Sequence, residues 1–311
     1  VEAAGGYRGR LRTAVALVAA AILLGAFQWA PLFGAAVAML LLALPPRRPA
    51  ALLAGVAALA ATVAWTASDF LGLVTLAWSL ALGGSLAVTV LRLPQWPFLS
   101  RALVAVVAAL GAMGAALAAT GAWEGFDSSM RTFIHAAIVG TFALLVAQVP
   151  EAAPPGEMLE AARTAAELQW QLYPAMAALQ ALAALGLAWW VFVRAAPHDS
   201  GWRQLRPLRE FRFNDHLVWL LVAGLLLLLL PLGDAAQRAG ANVLFFMGGL
   251  YTLRGLAVMV FMAGAPSLFT ATLGVVTALL LSRYVLPLAL LVGIGDTWLD
   301  VRRRVPAATG A

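Results

Sequence analysis

The chain has 311 residues, 63% hydrophobic and 11% charged, with a mean hydropathy of +0.91. A soluble domain carries roughly 45–50% apolar and about 25% charged residues, so this composition excludes a soluble enzyme, a coiled coil and a disordered chain, and specifies a polytopic membrane protein. All 20 basic residues are arginine and cysteine is absent, which leaves no disulfide, no thiolate chemistry and no lysine-dependent phosphate loop.

The expected fold class is all-α, a polytopic helical bundle. A membrane-crossing helix needs about 20 apolar residues at 1.5 Å each. Apolar stretches fall at 13–30, 32–44, 50–68, 70–91, 100–121, 174–194, 214–232, 241–263 and 266–296. The first two are short and read as a tight hairpin or broken pair turning at Pro31. The start has no signal-peptide shape, so nothing is expected to be removed. Pro45, Pro46 and Pro49 stop the second stretch, and Asp69 reads as the N-cap of the fourth. Arg8, Arg10 and Arg12 place the N-terminus in the cytoplasm, and the absence of cysteine fits a bacterial inner membrane. Counting forward keeps Arg47, Arg48, Arg92 and Arg101 inside, sends 122–173 outside, and returns Arg194, Arg203, Arg206, Arg209 and Arg212 to the inside. These short groups of arginine are topology signals, so the net charge of +6 implies no nucleic-acid partner.

Residues 128–149 are apolar enough to span, but a span there would put the five-arginine segment outside. They are read as an interfacial or re-entrant helix, N-capped by Asp127 or Ser128. Residues 157–172 have Glu157, Glu160, Arg163, Glu167 and Gln171 on one face, which makes an amphipathic surface helix with Arg163 and Glu167 at i, i+4. An external helical hairpin is therefore expected over 122–173, before a span that starts near Pro174. Arg283 and Pro287 interrupt the last stretch, which is read as two short helices, 266–282 and 284–297. That gives about nine to ten membrane segments with both termini inside. The chain divides into N-terminal membrane helices (1–121), the hairpin (122–173), C-terminal membrane helices (174–304) with an Arg-rich loop at 195–213, and a disordered tail (305–311).

Arg254 is the most informative residue. A charge in mid-span costs from roughly 3 to above 10 kcal/mol, so it must face a polar cavity, pair with a carboxylate or snorkel. It is either an anion contact in a binding cavity or a structural partner of Asp296 or helix-end carbonyls. Asn242, Gly248, Gly249, Tyr251, Thr252 and Gly255 share its helix, where small residues allow close packing or leave room for a ligand. The ligand-binding candidates are Asn242, Tyr251, Arg254 and Asp296. Arg203, Arg206, Arg209 and Arg212, interleaved with Phe211 and Phe213, are candidates for docking a partner or anionic lipid, with topology as the alternative role. His135, His198 and His216 have no metal-ligand spacing. No base is paired with a nucleophile, so neither an enzyme nor a cofactor or metal is expected.

Three segments together resemble a known family. They are Leu208–Phe213 ahead of a Leu-rich stretch, Asn242 with Leu253–Ala257, and the ending Gly293-Ile-Gly-Asp296-Thr-Trp-Leu-Asp300-Val-Arg302. They are similar to the YybS-like bacterial membrane proteins (domain of unknown function 2232), best over 200–304. Arg254 departs from that pattern, where glutamine is usual. The resemblance implies a distant likeness to the S subunits of energy-coupling factor transporters. By analogy it implies a solute-binding subunit with a small-molecule ligand and, as partners, a coupling subunit and ATPases. The alternative is a membrane scaffold or assembly factor that docks partners through its loop and hairpin.

Overall fold

The computed structural model describes residues 29–44, 48–66, 69–148, 155–195, 205, 207–264, 274, 276, 281–300 and 302. The expected span over residues 13–28, the loop positions Arg203 and Arg206, most of 266–280 and the tail 305–311 lie outside the described residues. Among the described residues there are nine α-helices and no strands: α1 Trp29–Ala43, α2 Pro49–Trp65, α3 Phe70–Arg92, α4 Phe98–Ala119, α5 Trp123–Gln148, α6 Pro155–Ala195, α7 Val218–Leu229, α8 Asp234–Met262 and α9 Ser282–Leu299. Short 3-10 turns at Leu208–Glu210 and Asp215–Leu217 lead into α7. Among the described residues, four helical segments are long and apolar enough to cross a membrane: α3, α4, Leu159–Arg194 of α6, and α8. This is an all-α polytopic membrane protein.

The bundle has two halves joined by α6. In the first, α1 lies at the centre and packs on α2, α3 and α6. Its Ala35, Ala36, Ala38 and Leu40 are wholly buried. A Cβ on Gly83 of α3 would meet the Ala35 carbonyl at 2.9 Å, so α1 and α3 cross backbone to backbone. Lipid offers no hydrophobic drive between helices, so such small-residue contacts supply the packing energy. Asp69 caps α3 as expected, accepting from the Gly72 N–H at 2.9 Å. Pro31 lies inside α1 rather than in a turn. In the second half α8 packs against α6, α7 and α9. A Cβ on Gly240 of α8 would lie 2.7 Å from the Gly224 carbonyl of α7.

The hairpin is formed by α5 and the outer part of α6, but it differs in three ways from expectation. First, α5 starts at Trp123, so neither Asp127 nor Ser128 is its N-cap. Asp127 pairs instead with Arg238 of α8 at 2.9 Å, and the Ser128 hydroxyl donates to the Gly125 carbonyl. Second, Arg163 pairs with Glu160 at 3.6 Å, because Glu167 is held across the hairpin by Arg131 at 2.9 Å and by His135 at 3.3 Å. Third, the surface helix and the following span are one helix that runs through Pro174.

The physical reason for that continuity is Asn242. Proline at 174 lacks the N–H that would reach the Trp170 carbonyl, and its ring crowds that carbonyl. From α8, the Asn242 side chain accepts from the Ala175 N–H at 2.9 Å and donates to the Gln171 carbonyl at 2.7 Å. Arg238 donates to the freed Trp170 carbonyl at 3.2 Å. The broken rungs of α6 are therefore remade by α8, as a membrane helix requires. Asn242→Ala is expected to cost about 1–3 kcal/mol for the orphaned groups. Much of that loss should return in the Pro174→Ala background, which restores an ordinary ladder. Unfolding midpoints of the two single variants and the double variant, measured in one detergent, test this; additive losses would refute the coupling.

Candidate functional site

The most polar buried site lies where α8, α9 and the approach to α7 meet. Arg254 of α8 is 1% exposed and Asp296 of α9 is wholly buried. Arg254 Nε donates to Asp296 Oδ2 at 2.9 Å, Nη2 to the Asp296 carbonyl at 3.2 Å, and Nη1 to Asp215 Oδ1 at 2.6 Å. Arg302 Nη2 donates to the same Asp296 Oδ2 at 3.0 Å. Its Nη1 reaches the carbonyls of Phe211 at 3.0 Å and Arg209 at 3.2 Å. Two guanidinium groups and two carboxylates balance, so the cluster is neutral. The Arg212 side chain pairs with Asp300 beside it. Asp300 ends α9 in the left-handed region at φ 44°, a conformation that aspartate tolerates better than most residues.

The local sequence explains why the strip enters the bundle. From 211 to 214 the backbone is extended and side chains alternate, with Phe213 buried and Arg212 and Asn214 exposed. Phe213 packs edge-on against Tyr251 at 5.1 Å and lies under the Arg254 guanidinium at 5.4 Å. Non-helical backbone at membrane depth survives only where protein satisfies its polar groups. Here Arg302 satisfies the carbonyls of Arg209 and Phe211.

Glycine brings the two helices together. A Cβ on Gly255 would lie 1.7 Å from the Ala289 carbonyl, and one on Gly293 would lie 1.9 Å from the Tyr251 carbonyl. Gly249 faces Leu179 of α6, whereas Gly248 has nothing within 4 Å. The small stripe therefore divides, with Gly255 and Gly249 in contact and Gly248 open.

Of the four ligand-binding candidates, the structure brings Arg254 and Asp296 into direct contact. Tyr251, one turn from Arg254, is buried with its hydroxyl unpaired. Asn242 stands apart, 12 positions up α8 or about 18 Å along the axis, engaged at Pro174. Among the docking candidates, Arg212 is paired and the Arg209 side chain is exposed. Sequence reasoning missed Asp215, Phe213 and Arg302 as members of the network. For Phe213 and Asp215 the signal was the Phe-Arg-Phe alternation that runs through Asn214 to an aspartate.

The family model described as "Predicted membrane protein (DUF2232)" matches residues 13–297. The chain belongs to the DUF2232 family. The match spans both halves of the bundle and includes Asp215, Arg254 and Asp296, whereas Arg302 lies just beyond it. No curated protein and no solved structure is significantly similar to the chain.

Proposed function

We propose that this DUF2232 protein is a membrane-embedded docking subunit that holds residues 207–217 as a shaped platform for an acidic protein partner. One observation carries this reading: Nε, Nη1 and Nη2 of Arg254 are all engaged within the chain, and what Arg254 and Arg302 fasten is the loop. Three of its five N–H donors are used in this way and the residue is 1% exposed, so it presents little to a ligand. On the platform's outer side Leu208 is 41% exposed and Arg209 is exposed with no carboxylate partner among the described residues. By the arginine distribution, this face of the protein looks into the bacterial cytoplasm.

A photo-crosslinking residue at Leu208 tests the reading in native membranes. The expected outcome is one stoichiometric protein adduct, lost on Arg209→Glu with the protein still folded. Absence of any adduct, together with a small molecule that co-purifies in stoichiometric amount, would sink it.

The second reading is a solute-binding subunit of transporter type, resembling energy-coupling factor S components and working with a coupling subunit and ATPases. It is favoured by an open hollow of 340 Å³ lined by Leu71, Ser128, Ser129, Thr132 and Phe133, within the roughly 300–1,000 Å³ of small-molecule sites. On this reading the ligand enters at the hairpin rather than at Arg254. Saturable binding should then survive Arg254→Met in folded protein and fail when Ser129→Trp fills the hollow.

A further inference from the structure

Arg101 is the fourth residue of α4 and is 5% exposed, almost as buried as Arg254. The two differ in their partners. Arg254 has two carboxylates, whereas Arg101 Nε is buried without a hydrogen-bond partner. Its recorded contact is the Trp189 ring of α6, 5.0 Å below the guanidinium carbon. Phe98 and Phe192 flank that ring, with centroids at 5.7 and 5.6 Å. Arginine does not deprotonate in proteins, and a cation–π contact offsets only part of the cost of a charge held in a membrane protein. An anion is the missing element.

The surroundings suit one. Pro97, the N-cap of α4, offers no side-chain acceptor to the helix, so the N–H groups of its first turn are uncapped. Side chains on a helix lean toward its N-terminus, which brings Arg101 back over that turn. Arg92 in the last turn of α3 and Arg194 in the last turn of α6 are both exposed. Arg194 covers Trp190 at 4.0 Å, as Arg101 covers Trp189. Among the described residues no carboxylate pairs with any of these three arginines. In the connecting turn Trp96 is 47% exposed, as a residue at headgroup level would be.

We propose that Arg101 and the uncapped first turn of α4 form a binding site for a phosphate oxyanion, either the phosphodiester of an anionic phospholipid headgroup or a free phosphate. The guanidinium fork supplies paired donors of matching geometry. The Trp189 ring fixes the plane of that fork, and the helix N-terminus adds amide donors and a favourable dipole.

The test uses full-length protein, delipidated in an uncharged detergent. Unfolding midpoint and tryptophan fluorescence are followed as dioleoylphosphatidylglycerol, dioleoylphosphatidylcholine or inorganic phosphate is added. Phosphatidylglycerol is expected to raise the midpoint by several degrees, as a ligand of the folded state must, with no rise from phosphatidylcholine. A matching rise with inorganic phosphate identifies the free ion as the ligand; its absence identifies the lipid. Arg101→Met should abolish the response and leave the lipid-free midpoint equal or higher, since it removes an uncompensated charge. Arg163→Gln, at the hairpin, should respond as wild type. Equal rises with both lipids, or a full phosphatidylglycerol response in Arg101→Met, would overturn the proposal. Should Arg101→Met not fold, Arg101→Lys keeps the charge without the fork. It is expected to respond only weakly, and a wild-type response in it would equally overturn the site.

Discussion

Asp296→Ala is expected to cost about 3–5 kcal/mol, the penalty for removing one partner from a buried ion pair. Asp296 Oδ2 accepts from both Arg254 and Arg302, and its carbonyl accepts a third donor. Without its side chain, Arg254 keeps the backbone carbonyl of residue 296 and, as its carboxylate partner, Asp215, whose side chain is 62% exposed. The yield of monodisperse protein and its unfolding midpoint measure the loss. Arg254→Met alone should also destabilise, because it leaves Asp296 buried with one fewer cation. The double variant Arg254→Met/Asp296→Leu is expected to recover a large part of the summed loss, since an apolar pair of similar volume often replaces a buried ion pair at little cost. Simple additivity in that cycle would mean that the two groups do not act as a unit.

Gly255→Ala should be the most disruptive single methyl. The new Cβ would lie 1.7 Å from the Ala289 carbonyl oxygen, a backbone atom that no rotamer change can move. Relief requires α8 and α9 to separate, which would also lengthen the Arg254–Asp296 bond a quarter-turn away. Overpacking costs about 1–3 kcal/mol and occasionally more, and this contact belongs at or above the top of that range. Gly248→Ala, seven residues earlier on the same helix, meets nothing within 4 Å. It should be neutral or gain up to about 1 kcal/mol from helix propensity. Parallel unfolding curves decide the matter, and equal effects of the two substitutions would refute the crossing geometry.

Much of this architecture was legible because membrane helices announce themselves by length and polarity. The stretches expected at 50–68, 70–91 and 100–121 became α2, α3 and α4 with ends shifted by a few residues. Asp69 capped as its position required. What escaped depended on partners distant in sequence. Pro174 reads locally as a helix start, and only Asn242, 68 positions on, makes it an interior residue. Asp127 reads as a cap until Arg238 claims it. Arg254 was readable as a residue needing compensation, and Asp296 as one candidate. Asp215 was missed although the Phe-Arg-Phe alternation runs up to it, and Arg302 was not readable, since nothing local tells a network arginine from a topology arginine. Arg302 stands beside Arg303 and Arg304 in the same run.

The unbroken α6 has a geometric consequence for the whole protein. From Tyr173 to Arg194 the helix rises about 32 Å at 1.5 Å per residue, the thickness of a hydrocarbon core. From Pro155 to Pro174 it rises about 28 Å more. The hairpin is thus carried on a mast about 28 Å long, nearly the depth of a lipid interior. The base of that mast is the proline that Asn242 and Arg238 brace. A bend of about 10° there, small for a proline-containing helix, would swing the tip by about 5 Å. The stiffness of two α8 side chains, rather than of the mast itself, sets how far the hairpin can lean.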